Sequence, residues 1–186
     1  MYEPLVGFRS KKGAQVAAFF AVKERPMEKL KLIKLIYLSE REFVSTHGEP
    51  MLYDELFSLP HGPICSSCLN AIDGKLEDKI WDKYLTKDKT KNILAKKLFE
   101  REELDELSDA EVDVLDAIWD SFGFMTASQI RNYTHKNCPE YTEIERGRVP
   151  ILYRDILRAA GDEDADEIED RIGAARRNEA VLSAFQ

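Results

Sequence analysis

The chain has 186 residues, 44% of them hydrophobic and 33% charged, and a formal net charge of −8, enough to bury a core as one domain or one domain with an appendage. No run of about 18 uncharged apolar residues occurs, which excludes a membrane-spanning helix, and the charged first twenty residues lack a signal-peptide pattern, so the expected location is the cytoplasm. Three cysteines cannot all pair within one chain and read as thiols, while the acidic balance repels nucleic acid at long range.

Elements in chain order are mostly helical. Val16, Phe19, Phe20 and Val22 recur at helical spacing in the segment closed by Pro26, predicting a first helix. Met27 to Gly48 is apolar around most of its circumference, with a narrow polar strip through Lys31, Lys34, Arg41 and Ser45. That pattern predicts a helix central to the fold, ended by Gly48 as a left-handed cap. Glu49 to Pro63 is broken by Pro50, Pro60 and Pro63 and predicts a small β element near residues 50–60. Pro63 suits the first position of a third helix, which places Cys65, Cys68, Leu69 and Ile72 on one buried face.

Residues 75–104 are charged and mixed, with Ile80, Trp81, Tyr84 and Leu85 as anchors. They predict a long irregular connection with a short strand at Asn92 to Ala95. Ser108 and Glu111 form a capping box for an amphipathic helix through Val112, Leu115, Ile118, Trp119 and Phe122 to Gly123. Thr126 caps the next helix, which Pro139 ends. Pro150 is expected to open another helix at Ile151, and an acidic run leads into a last one from about Asp164 to Phe185. In that final helix Ile168, Ile172, Ala175, Leu182 and Phe185 make one apolar stripe. The fold class is therefore mostly α: a single compact helical domain over residues 1–161 with a small β element, plus a C-terminal amphipathic helix over 162–186.

The order of several short signatures resembles the Panacea domain, the SocA-like antitoxin family, also met as phage-associated proteins. These are the run from Lys31 to Leu38, Gly48 with Pro50, the run from Phe57 to Pro63, Leu107 to Glu111, Gly123, Thr134-His135, Pro139 and Pro150-Ile151. The similarity runs from about Met27 to Leu157. Where many relatives carry a tryptophan after the proline downstream of Thr-His, this chain has Glu140-Tyr141. The resemblance implies a mainly helical antitoxin, which binds a protein toxin encoded nearby; one type of member also delivers its toxin to a protease, and the helical phase of Cys65 and Cys68 adds the expectation of no catalysis, metal or cofactor. It carries Lys34, Leu35, Tyr37, Pro60, Gly62, Pro63, Thr134 and His135 over as motif residues, structural or partner-binding.

Three chemical alternatives compete. Cys65-x-x-Cys68 with His135-x-x-Cys138 offers four zinc ligands, but helical packing already accounts for the first pair, as free cysteine behaves as a small buried hydrophobe. A redox pair needs a long parallel strand before the Cys-x-x-Cys, and none is predicted. Ser58, Ser66, Ser67, His61 and His135 show no nucleophile elbow and no triad spacing; hydroxyls at turns commonly cap backbone, and His61 and His135 read as a turn residue and a half-buried, hydrogen-bonded ring. For DNA, residues 110–136 have the outline of a helix-turn-helix, presenting Gln129, Arg131, Asn132 and Lys136. The net charge and the acidic residues from Asp109 to Asp120 favour two packed helices instead. The charge runs at Lys87 to Lys97 and Asp162 to Asp170 read as solvated faces.

Overall fold

A computed structural model describes residues 5–183. Helix α1 (Ser10–Lys23) is followed by α2 (Lys29–His47). Gly48 ends α2 at φ 65°, donating its N–H to the Val44 carbonyl, as the left-handed position requires. A hairpin of β1 (Leu56–Leu59) and β2 (Gly62–Cys65) leads into α3 (Ser66–Asp73). Then come the single turn α4 (Trp81–Tyr84), a ribbon of β3 (Leu85–Lys87) and β4 (Ile93–Ala95), and a 3-10 turn over Arg101–Glu103. Helices α5 (Asp109–Phe122) and α6 (Ala127–Asn137), strand β5 (Val149–Ile151), α7 (Tyr153–Ala159) and α8 (Ala165–Ser183) complete the chain. The chain is mostly α, with an antiparallel sheet of order β2-β1-β5 and the separate β3-β4 ribbon.

Helix α2 sits at the centre. Leu32, Leu35, Ile36, Tyr37 and Val44 are fully buried, and the helix packs against α1, α5, α6, α7 and β2. The expected capping box of Ser108 with Glu111 forms on α5, and Thr126, expected as the cap of α6, forms one with Gln129. The expected strand at Asn92 to Ala95 is β4, and its partner β3, absent from the sequence reading, is joined to it by a turn in which the Asp88 carboxylate accepts from the N–H of Thr90 and of Asn92.

Two proline assignments need correction. Pro63 does not open a helix; it lies in β2 opposite Ser58. Since Ser66 donates to the Glu55 carbonyl in the same ladder, parity makes Ser58–Pro63 a non-hydrogen-bonded pair, so the missing N–H costs no ladder bond. Pro150 likewise lies in β5, opposite Phe57, on the outer strand of the sheet. The helices start later, at Ser66 and Tyr153. Helix α3 starts where it does because the Asp54 carboxylate accepts from the N–H groups of Ser67 (2.8 Å) and Cys68 (3.0 Å), capping it from a distant loop. Cys65 is consequently a strand residue and only Cys68 is helical.

The apolar stripe of α8 is buried in its first half only. Ile168 and Ile172 are core residues, whereas Leu182 is 64% exposed; Phe185 lies outside the described residues.

Candidate functional site

The polar strip expected on α2 is buried at Lys31 and Lys34 and half-buried at Arg41 and Ser45. Lys31 and Lys34 are 4% and 0% exposed, and the row from Lys31 to Arg41 ties α2 to several other elements. Lys31 donates to the Gly123 carbonyl at the end of α5 (2.7 Å). Lys34 donates to the Pro63 carbonyl on β2 (2.7 Å). Tyr37 Oη donates to Glu140 Oε1 (2.6 Å), which also accepts from Arg41 Nε (2.8 Å). Glu40 accepts from the Met51 and Leu52 N–H groups and from the Tyr153 hydroxyl (2.6 Å). Residues three and four apart share a helix face, so this row forms a polar spine, and every member meets a partner that makes its burial tolerable.

The centre of the spine gathers most of the motif. Gly62, at φ +95°, lets β2 pass directly over Lys34: a Cβ there would lie 2.8 Å from Lys34 Nζ and 3.1 Å from His135 Nε2. The His135 ring is half-buried, bonded to the His61 backbone and packed on Tyr141 at 4.5 Å between ring centroids. Its Nε2 and the Nε of Arg131 are buried without a hydrogen-bond partner. Burial, with the nearby Arg131 cation, lowers Lys34 to about 7, although the Cys138 and Cys65 thiols oppose that shift. Burial also lowers His135, followed by the charges of Arg131 and Lys34. Three nitrogen groups thus crowd one interior spot, and beside the Arg131 cation the site favours the neutral forms of Lys34 and His135.

Lys34, Gly62, Pro63 and His135 therefore come together. Tyr37 lies one turn along the same helix, bonded to Glu140, while Thr134 is buried with its hydroxyl donating to the Arg131 carbonyl (2.8 Å). Leu35 is buried in the apolar core, and Pro60 sits half-buried in the hairpin turn. His61 is exposed there, and its backbone rather than its ring makes the bond. Sequence reasoning missed Glu40, Asp54, Arg131 and Glu140 as parts of this network. A signal existed for Glu40, an acidic residue on an otherwise apolar helix, but its partners Met51, Leu52 and Tyr153 lie far along the chain. Glu140, noted only as a departure from the usual tryptophan, has a side chain with no exposure.

The competing chemistries find little footing. Among the described residues no three His, Cys, Asp or Glu side chains assemble as a metal-ligand group. Burial, followed by the negative charge of Asp54, pushes the Cys65 and Cys68 thiols well above their usual range, the opposite of an activated thiolate. In the helix-turn-helix outline, Arg131 buries its Nε rather than facing outward, and the Gln129 side chain accepts from the Thr126 N–H. No helix among the described residues is long and apolar enough to cross a membrane.

Residues 32–141 match the family model described as antitoxin SocA-like, Panacea domain. The match begins in α2 and ends at Tyr141, so it encloses the whole Lys34–Gly62–Pro63–His135 cluster and the Tyr37–Glu140 bond. No curated protein and no solved structure matches the chain.

Proposed function

The chain belongs to the SocA-like antitoxin family of Panacea-domain proteins, and from that premise we propose that it is the antitoxin of a toxin–antitoxin pair that neutralises a protein toxin by direct binding. The family match over more than half of the chain carries this reading. The inward orientation of the motif is in keeping with it: Lys34, Tyr37 and Glu40 spend their polar atoms on β2, Glu140 and α7. In this reading the motif builds the frame, and the toxin is met by the outer surface. The protein acts stoichiometrically, without catalysis and without a cofactor.

The test is co-expression with the small reading frame adjoining its own. Growth should be restored only when both are made, the two proteins should co-purify at a fixed ratio, and protection should fail once toxin exceeds antitoxin. Protection without a complex in pull-down overturns the binding mechanism. Measuring the toxin's half-life with and without its partner reads the further step proposed for this family type, delivery to a protease: a shortened half-life supports delivery, and an unchanged one restricts the mechanism to sequestration.

A further inference from the structure

The two edges of the β3-β4 ribbon differ. Lys96 N–H donates to the Tyr84 carbonyl and Asp88 N–H to the Asn92 carbonyl, so the even residues of β3 face β4 and the odd ones face away. On the far side of β4 the corresponding outward groups of Ile93 are used, exchanging two bonds with Met27 at 2.8 and 2.9 Å. On β3 they are not. The Leu85 carbonyl and the N–H and carbonyl of Lys87 point outward with no partner among the described residues, and Thr86 and Lys87 are exposed.

Immediately beside this edge lies a hollow of about 380 Å³ walled by Ala71, Ile72, Trp81, Leu85 and Ile93. Lys87 and Lys96 line it together with Asp82, and Lys83, Lys89 and Lys91 are exposed on the same stretch of chain; none of these five lysines makes an ion pair among the described residues, whereas Lys97, next in line, is paired with Glu103. In a chain of net charge −8, this is a local basic island. An open strand edge next to an apolar hollow is the arrangement by which sheets accept an added strand: main-chain bonds hold it, and a pocket takes an alternate side chain.

We propose that the outer edge of β3 is a docking site for an extended peptide segment of a protein partner, which adds as a third strand, lodges an apolar side chain in the Trp81 hollow and offers acidic side chains to the lysines. The site names the surface used in the antitoxin reading above and rests on it for its biological role. Nucleic acid fits less well. The Trp81 ring, 4% exposed, offers no face for a base to stack on, whereas the outward main-chain groups of Leu85 and Lys87 match those of a peptide strand.

The experiment uses the full chain and a random twelve-residue peptide display library, with enriched peptides remade with a fluorescent label. Lys87→Pro removes the outward N–H while leaving the Thr86–Leu94 ladder intact, a substitution edge strands tolerate; Lys87→Gln removes only the charge. Enriched peptides should share an apolar residue flanked by acidic ones. Loss of one main-chain bond should weaken them about tenfold in Lys87→Pro, and Lys87→Gln should weaken them about threefold, less so at high salt. Both variants should melt as the unmodified chain does. Absence of enrichment, equal binding to Lys87→Pro, or binding of a single-stranded RNA 20-mer that Lys87→Gln weakens while peptides fail, each overturns the proposal. Should Lys87→Pro unfold, Ala71→Trp, which fills the hollow and leaves the strand alone, takes its place with the same expected loss. Failure of the co-expression test with success here retires the antitoxin reading and keeps the surface; the converse retires the surface alone.

Discussion

Gly62 is where a single hydrogen atom in place of a side chain decides the packing of two elements. Its φ of +95° is costly for any L side chain, and the space above its Cα is already taken by Lys34 Nζ and the His135 ring. Gly62→Val should therefore lower stability by about 1–3 kcal/mol, read as a drop in melting temperature; an unchanged melting temperature would show that β2 can stand off from α2. Lys34 makes a second prediction through pH. Its folded value of about 7 lies below the ordinary 10.5, so between those limits the unfolded chain holds a proton that the folded chain releases, and stability rises with pH. The advantage of the native chain over Lys34→Met should grow by up to about 1.4 kcal/mol per pH unit between pH 7 and 9 in urea titrations. Glu40 acts in the opposite sense at lower pH: burial raises it from 4.5 to about 7, so stability falls as pH rises through that window. The comparison therefore belongs above pH 7. Neither lysine burial was legible in the sequence. Lys31 and Lys34 resemble a solvated strip because the carbonyls that accept from them belong to Gly123 and Pro63, far along the chain.

Among elements, those with local start and stop signals were readable and those with distant ones were not. Helices α5 and α6 carry their caps within three residues, and α2 carries its own terminating glycine. Proline at a helix start and proline on an outer strand look alike locally; Pro63 and Pro150 were settled by pairing with β1. The start of α3 depends on Asp54, which no pattern near Ser66 announces. Helix α8 illustrates the same division, since its stripe was evident but its docking was not. Ile168 and Ile172 are buried, and Arg176 donates to the carbonyls of Tyr53 (3.0 Å) and Asp54 (2.7 Å). Ile172→Ala should cost about 2 kcal/mol or more, and truncation after Gly161 should destabilise the isolated chain further. Leu182→Ser, at a position 64% exposed, should leave the denaturant midpoint where it is. A truncated chain that melts unchanged would make α8 an arm for a partner.

At the scale of the molecule, polar groups are sorted by depth. The spine of α2 keeps its charges inside, each against a partner, while the lysines of the β3-β4 ribbon stand outside with none. The sequence located both groups without giving their depth: Lys31 and Lys34 stood as a narrow polar strip on the central helix, and the unpaired lysines read as a solvated run. Hydropathy registers the lysine, not the carbonyl waiting for it. The burial of Cys65 and Cys68 was better read, and Cys138 is buried with them, all three behaving as apolar volume. A thiol-reactive dye should label them slowly in the native protein and completely after unfolding; rapid labelling of Cys65 or Cys68 in the native state would contradict their placement.

Asp54 has one further consequence. Its side chain seats the first turn of α3, and its carbonyl receives both the Tyr153 hydroxyl and the Arg176 guanidinium. One buried residue is thus a junction at which α3, α7 and α8 share a fastening, and a loosening at the last helix reaches the amides of Ser67 and Cys68 through Asp54 itself. Deuterium exchange should register this: in Arg176→Ala those two amides should exchange faster than in the unmodified chain, while those in the middle of α5, which does not share the junction, should keep their protection.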